Sequence, residues 1–163
     1  MTGLSKIYYF YSIYQGKDSC GRQTYDIIEF TDQQLEDIHD YIRWLFPTKE
    51  PSNYSLHAPI LTDQDIYDLA SDSNFEDKFE QSFYRMLKFY FYGDFPAGWW
   101  CHPINHNLLR ITRIIKSLML FGEKRKAEFF YNLCVNEMNK YHGLVPPTTL
   151  EYWAKAAGKT RYF

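Results

Sequence analysis

Apolar side chains recur along this chain mostly at intervals of three and four, the spacing that places residues on one face of an α-helix. An aromatic-rich segment from Lys6 to Tyr14 closes at Gly16, and TYDIIEF, with Ile27, Ile28 and Phe30, suits a short helix. Thr31 followed three residues later by Gln34 forms a capping box. Leu35, Ile38, Ile42 and Leu45 then continue one amphipathic helix that Pro47 stops. TKEPSNYSLHAPIL, without periodicity and with two prolines, reads as a loop or extended crossover, after which Thr62 caps a helix at Asp63 to Ala70. From Asn74, Phe75, Phe79, Phe83, Met86, Leu87 and Tyr90 share a stripe, with Gly93 as a left-handed stop.

DFPAGWWCHP is a turn-rich connector, because a helix cannot run through Pro96 or Pro103. Asn105 or Asn107 caps the next helix, lined by Leu108, Ile111, Ile115 and Leu118 and ended by Gly122. A further helix from Glu123 turns Ala127, Phe130, Tyr131, Cys134 and Met138 inward and ends at Gly143. Thr148 caps a last helix before Gly158. No alternating strand pattern or repeat is present. The predicted fold is therefore all-α, six to eight helices packed in one compact domain over residues 1–163.

A chain of 163 residues with 45% hydrophobic content can bury a core without a disulfide or metal staple. Cys20, Cys101 and Cys134 are odd in number and match no disulfide or zinc-knuckle spacing, which points to a reducing compartment. The start has no basic leader, and no apolar run approaches the ~20 residues of a membrane span, so a cytoplasmic location without membrane insertion is expected. The sequon Asn53-Tyr54-Ser55 then carries no glycan. The net charge of −2 conceals an asymmetry: residues 1–104 hold 8 Lys and Arg against 16 Asp and Glu, whereas residues 105–163 hold 10 against 4. That polarity fits either internal docking or a cationic face, and without a global basic field no nucleic-acid partner is expected. Lys124, Arg125 and Lys126 in EKRKAE belong to a solvated first helical turn.

Familiar catalytic signatures are missing. Neither a G-x-S-x-G elbow nor a phosphate-cradling glycine loop occurs, no cofactor is implied, and Cys101, His102 and His106 lack a fourth zinc ligand at a recognisable spacing. Carboxylate pairs such as Asp37 and Asp40 or Asp63 and Asp65 fit caps and solvated helix faces. The informative segment is NHNLLRITRIIKSL. On a helix His106, Arg110, Arg113 and Ser117 fall on one stripe, near Asn105 and Asn107. Two guanidinium groups at a helix start make either a clamp for a carboxylate or phosphate, or a buried salt network with Glu36, Asp37 or Asp40. A basic partner-binding surface, visible as an exposed aromatic patch near Trp99 and Trp100, is a further alternative.

Two stretches, HDYIRWLFPTKEPSNYSLHAPILT (His39 to Thr62) and HNLLRITRIIKSLMLFG (His106 to Gly122), resemble the signature blocks of the conserved domain of the opioid growth factor receptor family. FYRMLKFYFYG and GRQTYDIIEF resemble its intervening helix and lead-in, so the similarity runs over about residues 7–157. The resemblance implies a non-enzymatic receptor-type domain for an enkephalin peptide, with a nuclear or perinuclear location. Arg43 and Leu108 depart from that family's usual Gln and polar residue. An enkephalin-like peptide offers an ammonium, apolar or aromatic side chains and a carboxylate, and its site needs an acid, ring-lined pockets and a cation. Asp40, Trp44, Arg110 and Arg113 are the candidates, joined by His39, His106, Asn105 and Asn107. A small enzyme using His106, Arg110 and Arg113 on an anionic substrate is the alternative.

Overall fold

A computed structural model describes residues 4–52, 57–141 and 146–159. Among them are nine α-helices and no strand, in keeping with the all-α expectation. The chain divides into two compact units, residues 1–89 and 90–163.

In the first unit, α1 (Lys6–Tyr11) starts where Ser5 accepts the Tyr8 N–H, and it buries Ile7, Phe10 and Tyr11. α2 (Thr24–Ile28) opens with a Gln23/Asp26 capping box, and α3 (Asp32–Asp37) with the predicted Thr31/Gln34 box. The single amphipathic helix expected from Thr31 to Leu45 is in fact two. Ile38 is extended (φ −91°, ψ 128°), and α4 (Ile42–Leu45) begins anew. The Tyr41 hydroxyl donates to the Leu35 carbonyl at 2.8 Å, occupying the acceptor that a continuing helix would offer to residue 39. A buried aromatic hydroxyl has to find such a partner, and here the partner is taken from the helix. This break raises the number of helices above the expected six to eight.

Thr62 caps α5 (Asp63–Ala70) with the predicted bounds. α6 (Ser73–Phe91) buries Phe75, Phe79, Phe83, Met86 and Leu87 on the predicted stripe. Gly93 does not supply the left-handed stop, for it is not among the described glycines of positive φ. α1 packs on α5, and the Tyr11 ring meets Phe75 edge-on at 5.1 Å while its hydroxyl donates to the Leu45 carbonyl at 2.6 Å. Arg85 of α6 fastens the turn between α2 and α3. Its Nε donates to the Ile28 carbonyl (3.2 Å), and its Nη2 reaches the Phe30 carbonyl (2.7 Å) and the buried Asp32 carboxylate (2.8 Å).

In the second unit, α7 (Asn107–Leu120) packs on α8 (Lys124–Tyr141) and α9 (Pro147–Ala156). The inward positions of α8 are the five predicted, from Ala127 to Met138. Gly122, at φ +77°, ends α7 as expected. The connector turns through Gly98 at φ +76°, where an added Cβ would come within 2.3 Å of the Tyr141 ring, so only glycine fits. α9 starts at Pro147, whose missing N–H costs nothing in a first helical turn, and the expected Thr148 cap is replaced by it. The predicted stop at Gly143 and the sequon at 53–55 lie outside the described residues. Trp100 and Trp153, both fully buried, meet at 6.2 Å, and their indole N–H groups donate to the carbonyls of Tyr90 and Leu108. Trp100 therefore belongs to this core, and the exposed patch proposed there does not include it.

Replacing Arg85 by Ala removes the donor of a largely buried ion pair and two carbonyl bonds, and should destabilise the first unit by about 3 kcal/mol. Urea unfolding checks this. A loss below about 0.5 kcal/mol, the ordinary effect of a surface substitution, would contradict the clamp.

Candidate functional site

The polar stripe of α7 changes character along its length. Asn105 accepts the Asn107 backbone N–H at 2.8 Å and so acts as one of the two caps predicted. Asn107, fully buried, is the hub: its Oδ1 accepts the Tyr90 hydroxyl at 2.9 Å and Arg110 Nη1 at 3.2 Å. Arg110 is 5% exposed. His106 just before the helix is exposed, Arg113 is half-buried, and Ser117 is buried. Helical spacing placed these residues on a common stripe, and the fold then covers its middle and leaves its first residue outside. Cys101 is buried whereas His102 is exposed, so these neighbours diverge. Among the described residues no three His, Cys, Asp or Glu side chains gather as a metal-holding group.

In the first unit, Asp40 belongs to an ionic cluster. Arg22 Nε donates to Asp18 Oδ2 at 2.7 Å and its Nη2 to Asp40 Oδ1 at 2.9 Å. Asp18 also accepts the backbone N–H groups of Cys20 and Arg22, each at 2.9 Å, in a tight turn that Gly21 completes at φ +80°. The Cys20 thiol donates to Asp40 Oδ2 at 2.9 Å. Burial alone would raise the Asp40 pKa, but the bonds from Cys20 and Arg22 outweigh it and hold the carboxyl below its usual range. The depressed value means that Asp40 stabilises the fold above the ordinary carboxylate pKa of about 3.9, and that this contribution fades as pH falls through the lower native value. The same carboxylate pushes the Cys20 thiol up, first through the hydrogen bond.

His39 is exposed, with its carbonyl 3.4 Å from Arg43 Nη1. Trp44 is 3% exposed and lines a surface depression of about 320 Å³ together with Lys6, Tyr9, Lys17, Asp18 and His57. Of the residues named from sequence, the structure thus groups Asn105, Asn107 and Arg110 directly in the second unit. Asp40 and Trp44 share the first unit, Asp40 in the ionic cluster and Trp44 in the depression. Arg22, Asp18, Lys6, Lys17 and His57 escaped the sequence reading. The only local signal was Asp18-Ser19-Cys20-Gly21-Arg22, a turn with glycine at its left-handed position and opposite charges at its ends.

The family model described as the opioid growth factor receptor (OGFr) conserved region matches residues 22–94. Residues 22–94 are thus similar to this conserved region. Arg22 is the first residue matched, and the match takes in the Asp40 and Trp44 positions, Arg85 and all of α6. The block at 106–122 lies beyond it. The opioid growth factor receptor of Rattus norvegicus is 37% identical over 102 residues, covering 54% of this chain and 17% of its own length. That of Homo sapiens is 35% identical over 102 residues, covering 54% and 15%. The opioid growth factor receptor-like protein 1 of Mus musculus is 33% identical over 103 residues, covering 55% and 22%. The chain thus matches less than a quarter of the length of these relatives. No solved structure matches. Among the described residues no helix is long and apolar enough to cross a membrane.

Burial raises the thiol pKa of Cys101 to about 12, with a further push from Glu137, and raises that of Cys134 well above its ordinary value. With a colorimetric thiol reagent at pH 8, Cys20 alone should react in the native protein, and it should react faster after Asp40→Asn. Three equally reactive thiols, or no acceleration by Asp40→Asn, would contradict the assignment.

Proposed function

We propose that this chain is a non-enzymatic interaction module of the opioid growth factor receptor type, taking a peptide or protein ligand. The observation that carries this reading is the conserved-region match over residues 22–94, shared with relatives whose names state a receptor role. In the second unit, the accessible His106 and the half-buried Arg113 would meet the ligand, and the knot of Asn105, Asn107 and Arg110 would position the helix that bears them. In the first unit, taken by itself, His39, Asp40 and Trp44 are the proposed ligand residues. The Asp40 side chain is 40% exposed, so its carboxylate is open to a ligand ammonium. A cytoplasmic or perinuclear setting belongs to the same reading.

Titration calorimetry of the purified chain with an enkephalin-type peptide should show saturable binding. The double substitution His106→Ala/Arg113→Ala should weaken it about tenfold, or about 1.4 kcal/mol. No saturable binding by the folded protein, or an unchanged affinity in the double variant, would overturn the reading.

A further inference from the structure

The depression beside Trp44 continues into a second of about 280 Å³, and the two share Lys6 and His57. The second is also lined by Pro59 and Ile60, of which Ile60 is 52% exposed. The lining is aromatic at the buried Trp44 and at Tyr9, which is 43% exposed and packs against the exposed Tyr14 ring at 5.2 Å. Its rim is basic, through Lys6 and Lys17, with His57 adding a ring nitrogen.

The charge of this rim is left uncompensated. Asp18 is the acid of the lining, but its carboxylate is taken up by Arg22 and two backbone N–H groups. Among the described residues neither Lys6 nor Lys17 forms an ion pair, whereas Lys49, Lys126 and Lys159 each have a carboxylate partner. This happens in a unit whose 8 Lys and Arg face 15 Asp and Glu. Carboxylates are plentiful there, yet none neutralises the two lysines that flank an aromatic recess. A volume of about 320 Å³ is at the small end for a ligand pocket and suits one large side chain. An extended polyanion such as nucleic acid or an acidic membrane would be repelled by the rest of the unit, and a short acidic segment would not.

We propose that this groove of the first unit docks an acidic peptide segment of a partner protein, with an aromatic side chain seated against Tyr9 and Trp44 and flanking carboxylates on Lys6 and Lys17. The proposal rests on reading the chain as an interaction module and names one surface and one ligand chemistry for it. Ring-on-ring contact supplies the anchor. The lysines supply selectivity and a salt-sensitive part of the affinity.

The test uses the whole chain and the fluorescein-labelled peptide EDEFEDE, with EDESEDE and KRKFKRK as comparisons, read by fluorescence anisotropy. EDEFEDE should bind about tenfold or more tightly than either comparison, and raising salt to about 0.5 M should weaken it. The double variant Lys6→Glu/Lys17→Glu should lose about tenfold or more. Both lysines are exposed, and an acid suits the first turn of α1, so the fold should persist. Lys6→Gln/Lys17→Gln provides a second variant if circular dichroism shows otherwise. In NMR spectra the Trp44 indole signal should move with EDEFEDE. Equal binding of EDESEDE, full affinity in the folded lysine variants, a stationary Trp44 signal, or equally strong competition by inorganic phosphate or AMP would each overturn the groove. An enkephalin-type peptide run in parallel separates the two proposals. If it binds wild type and lysine variant alike while EDEFEDE fails, the groove alone falls, and if both peptides fail, both proposals fall.

Discussion

The guanidinium of Arg22, held between Asp18 and Asp40, is the interaction on which the proposed binding surface of the first unit depends. It closes the 18–22 turn, sets the direction of Cys20, and ties the segment before α2 to the break between α3 and α4. It also takes up Asp18, the acid in the lining of the depression that Lys6 and Lys17 share. A surface ion pair contributes little stability by itself. The Asp18 side chain is fully buried, however, and takes three donors, so this arrangement is a closed one in which removal of the arginine would leave a buried carboxylate short of its charge partner. The conserved-region match begins at this arginine.

A second knot of polar groups lies in the other unit, where Asn107 joins the Tyr90 hydroxyl and Arg110 at the start of α7. A buried guanidinium is costly unless its donors are satisfied, and the Asn107 carboxamide oxygen takes one of them, Nη1, alongside the Tyr90 hydroxyl. The knot fixes the first turn of α7 and therefore the positions of His106 and Arg113 on either side of it. Arg85 plays the comparable part in the first unit by gathering two carbonyls and Asp32. In each place an arginine or asparagine acts on backbone ends and turns, where helices leave acceptors and donors without internal partners.

Much of the helical framework was legible because its signals are local. The Thr62 cap, the inward residues of α8 and the Gly122 stop each depend on neighbours within a turn or two. The break at Ile38 was not legible, because it depends on the Tyr41 hydroxyl capturing the Leu35 carbonyl, a choice that periodicity in Leu35, Ile38, Ile42 and Leu45 conceals. The spacing of His106, Arg110, Arg113 and Ser117 puts them along one stripe. Spacing cannot say whether another part of the fold covers it, and Arg110 is buried while His106 is not. Trp44 was named as a ligand residue, but the lysines and His57 around it come from distant positions that only tertiary folding assembles.

The Arg22 bridge is tested most directly by a carbon-detected NMR titration of the Asp40 carboxyl in wild type and in Arg22→Gln. The bridge predicts a wild-type midpoint below the usual aspartate value that moves upward in the variant. A midpoint at the ordinary value in wild type, unmoved by the substitution, would contradict it.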